Sequence, residues 1–155
     1  MMNDLNTIEQ AIEKVVFLQK SSCQRLKNAS PEERIAKLKS IEKYMLAHKQ
    51  ELYDAIYADF KKPSSEVVIG ELLGVKREIA HIISHLKSWM KPRKVGTPLL
   101  LLGTKSYIMS EAKGLCLIIA PWNYPFNLAI NPLVHAIAAG NAVILKPSEL
   151  SPNTS

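Results

Sequence analysis

Apolar side chains recur at helical spacing through the first two thirds of the chain and then give way to short continuous runs. Leu5, Ile8, Ile12 and Val15 share one face, which Leu18 and Leu26 prolong, and this predicts an amphipathic helix. Ser30-Pro31-Glu32-Glu33 opens a second helix. Ser30 is its N-cap, Pro31 takes the first helical position, where no N–H is needed, and Glu33 is placed to close a capping box. Ile35, Leu38, Ile41 and Met45 continue that helix as one stripe. A further helical stretch runs through Leu52 and Ile56 to Phe60 and stops before Pro63. Ser64 or Ser65 then caps a long helix carrying Val68, Leu72, Val75, Ile79, Ile82, Leu86 and Trp89, which Pro92 ends. Gly70 and Gly74 inside it each cost up to about 1 kcal/mol relative to alanine. Their spacing on one face predicts close packing against another element.

Pro92 to Gly103 reads as a linker, Lys105 to Ala112 as a strand and Lys113-Gly114 as a turn. Leu115 to Ala120 and Ala142 to Leu145 are uninterrupted apolar runs, as expected of strands buried on both faces of a parallel sheet. One helix joins them. The predicted fold class is therefore α/β, with an amino-terminal helical part over 1–104, a separate strand over 105–113 and a strand–helix–strand unit over 114–155. Such a two-strand sheet has both edges open, and Ser151-Pro152-Asn153-Thr154-Ser155 reads as the start of another helix, so further strands are expected to follow.

At 155 residues a chain can build a real core, burying about 68 to 70 per cent of its unfolded surface, so length alone does not require more protein. The net charge of +6 is dispersed. Its one local cluster, Lys87, Lys91, Arg93 and Lys94 around Trp89, reads better as a basic helix end beside a half-buried indole than as a nucleic-acid patch. Two cysteines, Cys23 and Cys116, do not form a disulfide framework, and no apolar leader follows Met1, which makes a reducing cytoplasm the expected compartment. No segment reaches the roughly 18 uninterrupted apolar residues of a membrane span.

The chemistry concentrates at the ends of the two apolar runs. Asn123 stands between Pro121 and Pro125 on the turn after the first. A fixed amide NH₂ can donate to a carbonyl oxygen without ionising, as an oxyanion stabiliser must. On local sequence alone, a turn asparagine bonding its own backbone is the stronger reading. Lys146 and Glu149 follow the second run, and their groups suit ribose hydroxyls as well as they suit an exposed ion pair. Ligands of open parallel sheets bind outside the carboxyl ends of the strands, where all three residues fall. No G-x-G-x-x-G is present, so phosphate recognition must differ from the usual dinucleotide turn. His81 and His85 share a helix face without a third ligand, which favours a surface pair over a metal site. Cys116 lies mid-strand among Leu115, Leu117 and Ile118, apolar surroundings in which a thiol is inert, and Cys23 has no motif around it. G-x-S-x-G is absent.

Pro121-Trp122-Asn123 followed by Lys146-Pro147-Ser148-Glu149 resembles the aldehyde dehydrogenase superfamily. Lys61-Lys62-Pro63, Trp89-Met90-Lys91-Pro92 and Thr97-Pro98 are similar to its class 3 and fatty-aldehyde branch, so that the chain looks like an amino-terminal portion of such an enzyme. The resemblance implies amino-terminal helices followed by the first strand–helix–strand unit of a Rossmann-like NAD-binding sheet, and a bridging strand at 105–113 that takes part in oligomerisation. It implies NAD or NADP as cofactor, an aldehyde as substrate and a homodimer as the full-length form. Asn123 then holds the oxyanion, Lys146 and Glu149 bind the cofactor, and Ile118, Ile119, Pro121 and Trp122 supply the wall beside it. The nucleophilic cysteine and general-base glutamate are expected beyond Ser155. The alternative is a non-catalytic remnant that binds a partner protein through its bridging strand and open sheet edge.

Overall fold

A computed structural model describes residues 2–155 and the side chains from residue 8 onward. Six helices and four strands follow one another: α1 (Met2–Lys27), α2 (Pro31–Ala47), α3 (Lys49–Phe60), α4 (Ser64–Val67), α5 (Leu73–Trp89), β1 (Arg93–Val95), β2 (Ser106–Ile108), β3 (Leu115–Ile119), α6 (Pro125–Ala138) and β4 (Ala142–Lys146). α4 and α5 are the short first and long second parts of the predicted long helix, separated by a π-helical turn over Val68–Leu72. The core is where α2, α5 and α6 meet, and Leu38, Met45, Leu72, Val75, Ile79, Ile82, Leu86, Val134 and Ala138 are buried together there.

The second helix starts as its sequence dictates. Ser30 Oγ accepts the Glu33 amide and the Glu33 carboxylate accepts the Ser30 amide, so both halves of the capping box are made. Neither Ser64 nor Ser65 caps the long helix; Pro63 holds the cap position without a side-chain hydrogen bond, and Ser64 is the first helical residue. The glycine expectation holds. A Cβ on Gly70 would stand 2.9 Å from the Tyr124 ring, and one on Gly74 would stand 3.4 Å from the Asn127 amide, so the element packed against both is the start of α6.

Between Pro92 and Gly103 the chain is not a plain linker, because β1 forms there and pairs antiparallel with β2, Arg93 opposite Ile108 and Val95 opposite Ser106. Of the predicted strand over Lys105 to Ala112, only Ser106–Ile108, near its start, forms a strand, β2. β3 and β4 run parallel in register from Leu115 opposite Ala142 to Ile119 opposite Lys146. The expectation that both sheet faces are buried is not met within this chain. Leu117 and Ile119, alternate residues of one face, are 62% and 69% exposed. The apolar stripe of α1 is likewise present but uncovered at Ile8, Ile12, Val15 and Leu18, while the Leu5 side chain lies outside the described residues.

α6 ends where the chain turns back into β4, and Arg34 organises that corner. Its guanidinium donates to the carbonyls of Lys27, Ala29 and Ala138 at 3.0, 3.1 and 3.0 Å, tying the end of α1 and the α1–α2 turn to the end of α6. Gly140 adopts φ +86°, and a Cβ there would lie 2.5 Å from Arg34 Nη2. Asn141 completes the corner, its Oδ1 accepting the Gly114 amide before β3 and its Nδ2 donating to Ala136. Gly140→Ala is therefore expected to lower stability by roughly 1–3 kcal/mol, through a strained φ and displacement of a side chain held by three bonds. Urea titration measures this, and an unchanged midpoint would show that Arg34 does not depend on the open space at Gly140.

Candidate active site

The turn from Ala120 to Tyr124 links β3 to α6, and its geometry is set from outside the turn. Lys62, just before Pro63, donates from Nζ to the Asn123 carbonyl at 2.7 Å and lies 4.3 Å from the centre of the Tyr124 ring. Lys61 is left-handed at φ 58° and closes α3, which redirects the chain so that Lys62 faces this turn. The Trp122 ring is tilted against Phe60 at 6.1 Å. Asn123 itself is exposed, and its amide has no hydrogen-bond partner among the described residues. The turn is thus built by the Asn123 main chain and not by an Asn123 side-chain bond to its own backbone.

Below the turn lies Glu71, only 1% exposed, on the π-helical segment. Its Oε2 accepts the Asn127 amide at 2.8 Å in the first turn of α6, and its Oε1 is 3.8 Å from Lys62 Nζ. Burial pushes the Glu71 carboxyl above the usual glutamate range, against the pull of the Asn127 amide and the Lys62 ammonium. A carboxylate at a helix N-terminus is favoured by the unpaired amides and the dipole there. Asn127 adds a donor bond from Nδ2 to the Gly70 carbonyl at 2.8 Å.

At the carboxyl end of β4, Lys146 and Glu149 are both exposed and pair with each other across three residues. The Lys146 ammonium bonded to it holds the Glu149 carboxyl below the usual range. The ladder sets Ile119 opposite Lys146, and the Ala120 amide donates to the Lys146 carbonyl at 3.0 Å. Ile119, Lys146 and Glu149 are therefore neighbours on one sheet edge, with Pro121, Trp122 and Asn123 on the adjoining turn; all of these are exposed, and Ile118 is half-buried one step back along β3.

The segment after Glu149 is pinned by Asp59, whose carboxylate accepts the Asn153 amide and Nδ2 at 3.1 and 2.7 Å and the Thr154 amide and Oγ1 at 2.9 and 2.7 Å. This is how an acidic cap opens a helical turn, in line with the reading of Ser151 to Ser155 as a helix start. Sequence reasoning missed Lys62, Glu71 and Asp59. Glu71 left a signal, a charge on the apolar face of its helix three residues after Val68 and next to Gly70. Asp59 left none, because its partners are over 90 positions away.

The cysteines stand apart from this edge. Cys23 donates to the Gln19 carbonyl inside α1. Cys116 is near the start of β3, and four residues of strand at about 3.3 Å each set it roughly 13 Å from the turn. Along α5 the His81 and His85 rings are tilted against each other with centres 4.3 Å apart, and His85 stacks on Trp89 at 5.4 Å.

The chain matches the Aldehyde dehydrogenase family over residues 4–155 and belongs to it. It is 43% identical over 129 residues to an aldehyde dehydrogenase of Craterostigma plantagineum, covering 83% of this chain and 27% of that protein. Against aldehyde dehydrogenase family 3 member B2 of Mus musculus it is 46% identical over 121 residues, 78% of this chain and 25% of that one. The structure of Staphylococcus aureus AldH in a substrate-bound state superposes with a TM-score of 0.87 at 39% identity, over 92% of this chain and 31% of that chain. The α/β fold is thus that of an aldehyde dehydrogenase, and the chain spans about a quarter to a third of the length of these relatives.

Asp59 supplies a test of how the edge is held. Burial alone would raise its carboxyl, but the bonds from Asn153 and Thr154 outweigh that and hold it below its ordinary value of 3.8. A depressed native pKa means stabilisation that is complete above the ordinary value and lost as pH falls through the native one. The melting-temperature gap between the native chain and Asp59→Asn is expected to be widest near neutrality and to shrink below about pH 4. A gap independent of pH would show that the carboxylate charge does not hold this segment.

Proposed function

We propose that residues 1–155 supply the oxyanion donor and part of the ribose site of an enzyme that oxidises an aldehyde to a carboxylic acid with NAD or NADP. One observation carries the reading: an exposed asparagine amide, free of partners among the described residues, on a turn fixed by its own main chain at the carboxyl end of a parallel strand. Membership of the aldehyde dehydrogenase family supports it.

When a thiolate adds to the aldehyde carbon, the C=O π pair moves to oxygen, and the Asn123 Nδ2–H donates to the O⁻ that forms. An amide does this well because it brings no charge of its own and needs no reorganisation as the charge builds. The position and partners of Cys23 and Cys116 suit neither to this attack, so the thiolate and the carboxylate that activates water come from outside these residues. A nicotinamide cofactor held at this edge would supply the acceptor for the hydride that leaves the former aldehyde carbon of the thiolate adduct. The donor set fits its ribose: Lys146 offers an ammonium and Glu149 an ionised carboxylate, both exposed on the sheet edge, and opening their mutual pair frees both for hydroxyls. Ile118, Ile119, Pro121 and Trp122 form the adjoining apolar wall. We place the enzyme in a reducing cytoplasm, consistent with two free cysteines, and as a homodimer through the strand region of 105–113. No helix among the described residues is long and apolar enough to cross a membrane.

The second reading, a partner-binding remnant, draws support from the same exposed sheet face at Leu117 and Ile119. Cofactor binding separates the two, since a remnant has no reason to keep a ribose site.

In an active enzyme containing these residues, Asn123→Ala should lower kcat by roughly 10² to 10³, about 2.7–4 kcal/mol, with little change in aldehyde KM. Near-normal turnover with a lowered melting temperature would make Asn123 a structural residue instead. Glu149→Gln should raise the cofactor KM and leave the aldehyde KM unchanged, because ribose lies far from the reacting carbon. The reverse pattern would remove Glu149 from the cofactor site.

A further inference from the structure

Lys62 makes contacts that its place in the sequence does not announce. Only 17% of its side chain is exposed. Its ammonium meets three groups at once: the Asn123 carbonyl at 2.7 Å, the face of Tyr124 at 4.3 Å and Glu71 Oε1 at 3.8 Å. Each belongs to a different constraint. The carbonyl is on the peptide that carries the Asn123 side chain, Tyr124 is the next residue, and Glu71 holds the first turn of α6 through the Asn127 amide.

We propose that Lys62 is a positioning residue for Asn123, its ammonium clamping the Asn123 peptide between the Tyr124 ring and the buried Glu71 so that the free amide keeps one direction. This rests on Asn123 being the oxyanion donor. Among the described residues Asn123 makes no side-chain hydrogen bond, so its aim is set by its main chain and χ angles alone. Holding the main chain removes the larger freedom. The surroundings over-determine the clamp. Gly70 leaves room for Tyr124 to lie against the helix, where a Cβ would be 2.9 Å from the ring. Pro63 disfavours helical backbone at Lys62, so the side chain leaves an extended segment and not the end of α3. The π-helical turn re-aims the backbone around Glu71, a device frequent at functional sites. Glu71 alone could hold α6, and the ring alone could be covered by any apolar group. Only the cation binds the Asn123 carbonyl as well.

Misplacing a reacting group by about 1 Å can lower a rate by about 10²-fold. In the active enzyme Lys62→Met is therefore expected to lower kcat about 10- to 100-fold while aldehyde KM stays within about two-fold. Lys62→Arg, which keeps a cationic donor, should restore most of that loss. The decisive comparison is the double variant: if Lys62 acts through Asn123, Lys62→Met lowers kcat no further in an Asn123→Ala background. Additive losses overturn the proposal, and so does a Lys62→Met enzyme with normal kcat while Asn123→Ala is impaired. A normal Asn123→Ala enzyme instead sinks the oxyanion reading itself, so the two failures are distinguishable. A second readout needs no turnover. With Trp89 replaced by Phe, Trp122 is the remaining tryptophan of the 155-residue chain and reports on the turn. Acrylamide quenching of Trp122 should increase in Lys62→Met and return toward the native level in Lys62→Arg. Quenching unchanged by Lys62→Met would show that the turn holds without the clamp.

Discussion

α6 carries a buried charge of the correct sign at each end, and the rest of the molecule is arranged around that fact. The Glu71 carboxylate accepts from the Asn127 amide at its start, and the Arg34 guanidinium donates to the Ala138 carbonyl at its finish. A helix presents unpaired amides and partial positive charge at one terminus and unpaired carbonyls and partial negative charge at the other, so each ion is matched to what it meets. Neither ion is cheap to bury. Each is tolerated because it satisfies several groups together, Arg34 bonding three carbonyls and Glu71 meeting an amide and an ammonium. Removing either would leave orphaned backbone groups inside the fold as well as an unpaired partner.

The consequence is positional. α6 joins the two strands whose carboxyl ends carry the candidate chemistry, so its placement sets both. At its start, the turn with Asn123 is drawn onto Lys62; past its end, Gly140 and Asn141 lead into β4 and so to Lys146. The parallel ladder then fixes one strand against the other, Ile119 beside Lys146. The proposed oxyanion donor and ribose site would have to hold a constant separation to serve one reaction, and one helix and one ladder of hydrogen bonds link the two positions.

What the sequence could convey depended on how local the cause was. The start of the second helix was legible to the residue, because a capping box is a contact between Ser30 and Glu33 within one turn. So was the tight contact at Gly70, where a glycine in a helix signals a neighbour even though Tyr124 could not be named. Asn123, Lys146 and Glu149 were legible as a cluster because strand ends are where open sheets bind ligands. The π-helical turn was not, and the bond its Glu71 makes is to the Asn127 amide, 56 positions later. β1 hid inside a stretch rich in Pro and Gly because only its pairing with β2 makes it a strand. The uncovered face at Leu117 and Ile119 ran against the pattern for a simpler reason: a run of apolar residues states what a strand requires, and the described residues cover only one side of it.

That uncovered face bears on how the site works. Burial strengthens an electrostatic interaction because water no longer competes for it, and an amide donor to an oxyanion gains most in a dry site. Asn123, Lys146 and Glu149 all stand on the open edge, in contact with solvent within these residues, whereas Glu71 and the Lys62 stem already lie in the interior. The buried pair is thus already desolvated, and the groups proposed to touch ligand are not. This ordering is physically sensible. A positioning ion pair must be rigid in the resting protein, so it belongs in the core, while an unpaired amide is tolerable only where water can satisfy it until a better acceptor displaces that water. Burial thus separates the two sets: the charges that bond the backbone are inside, and the proposed neutral donor, Asn123, stands exposed on the turn.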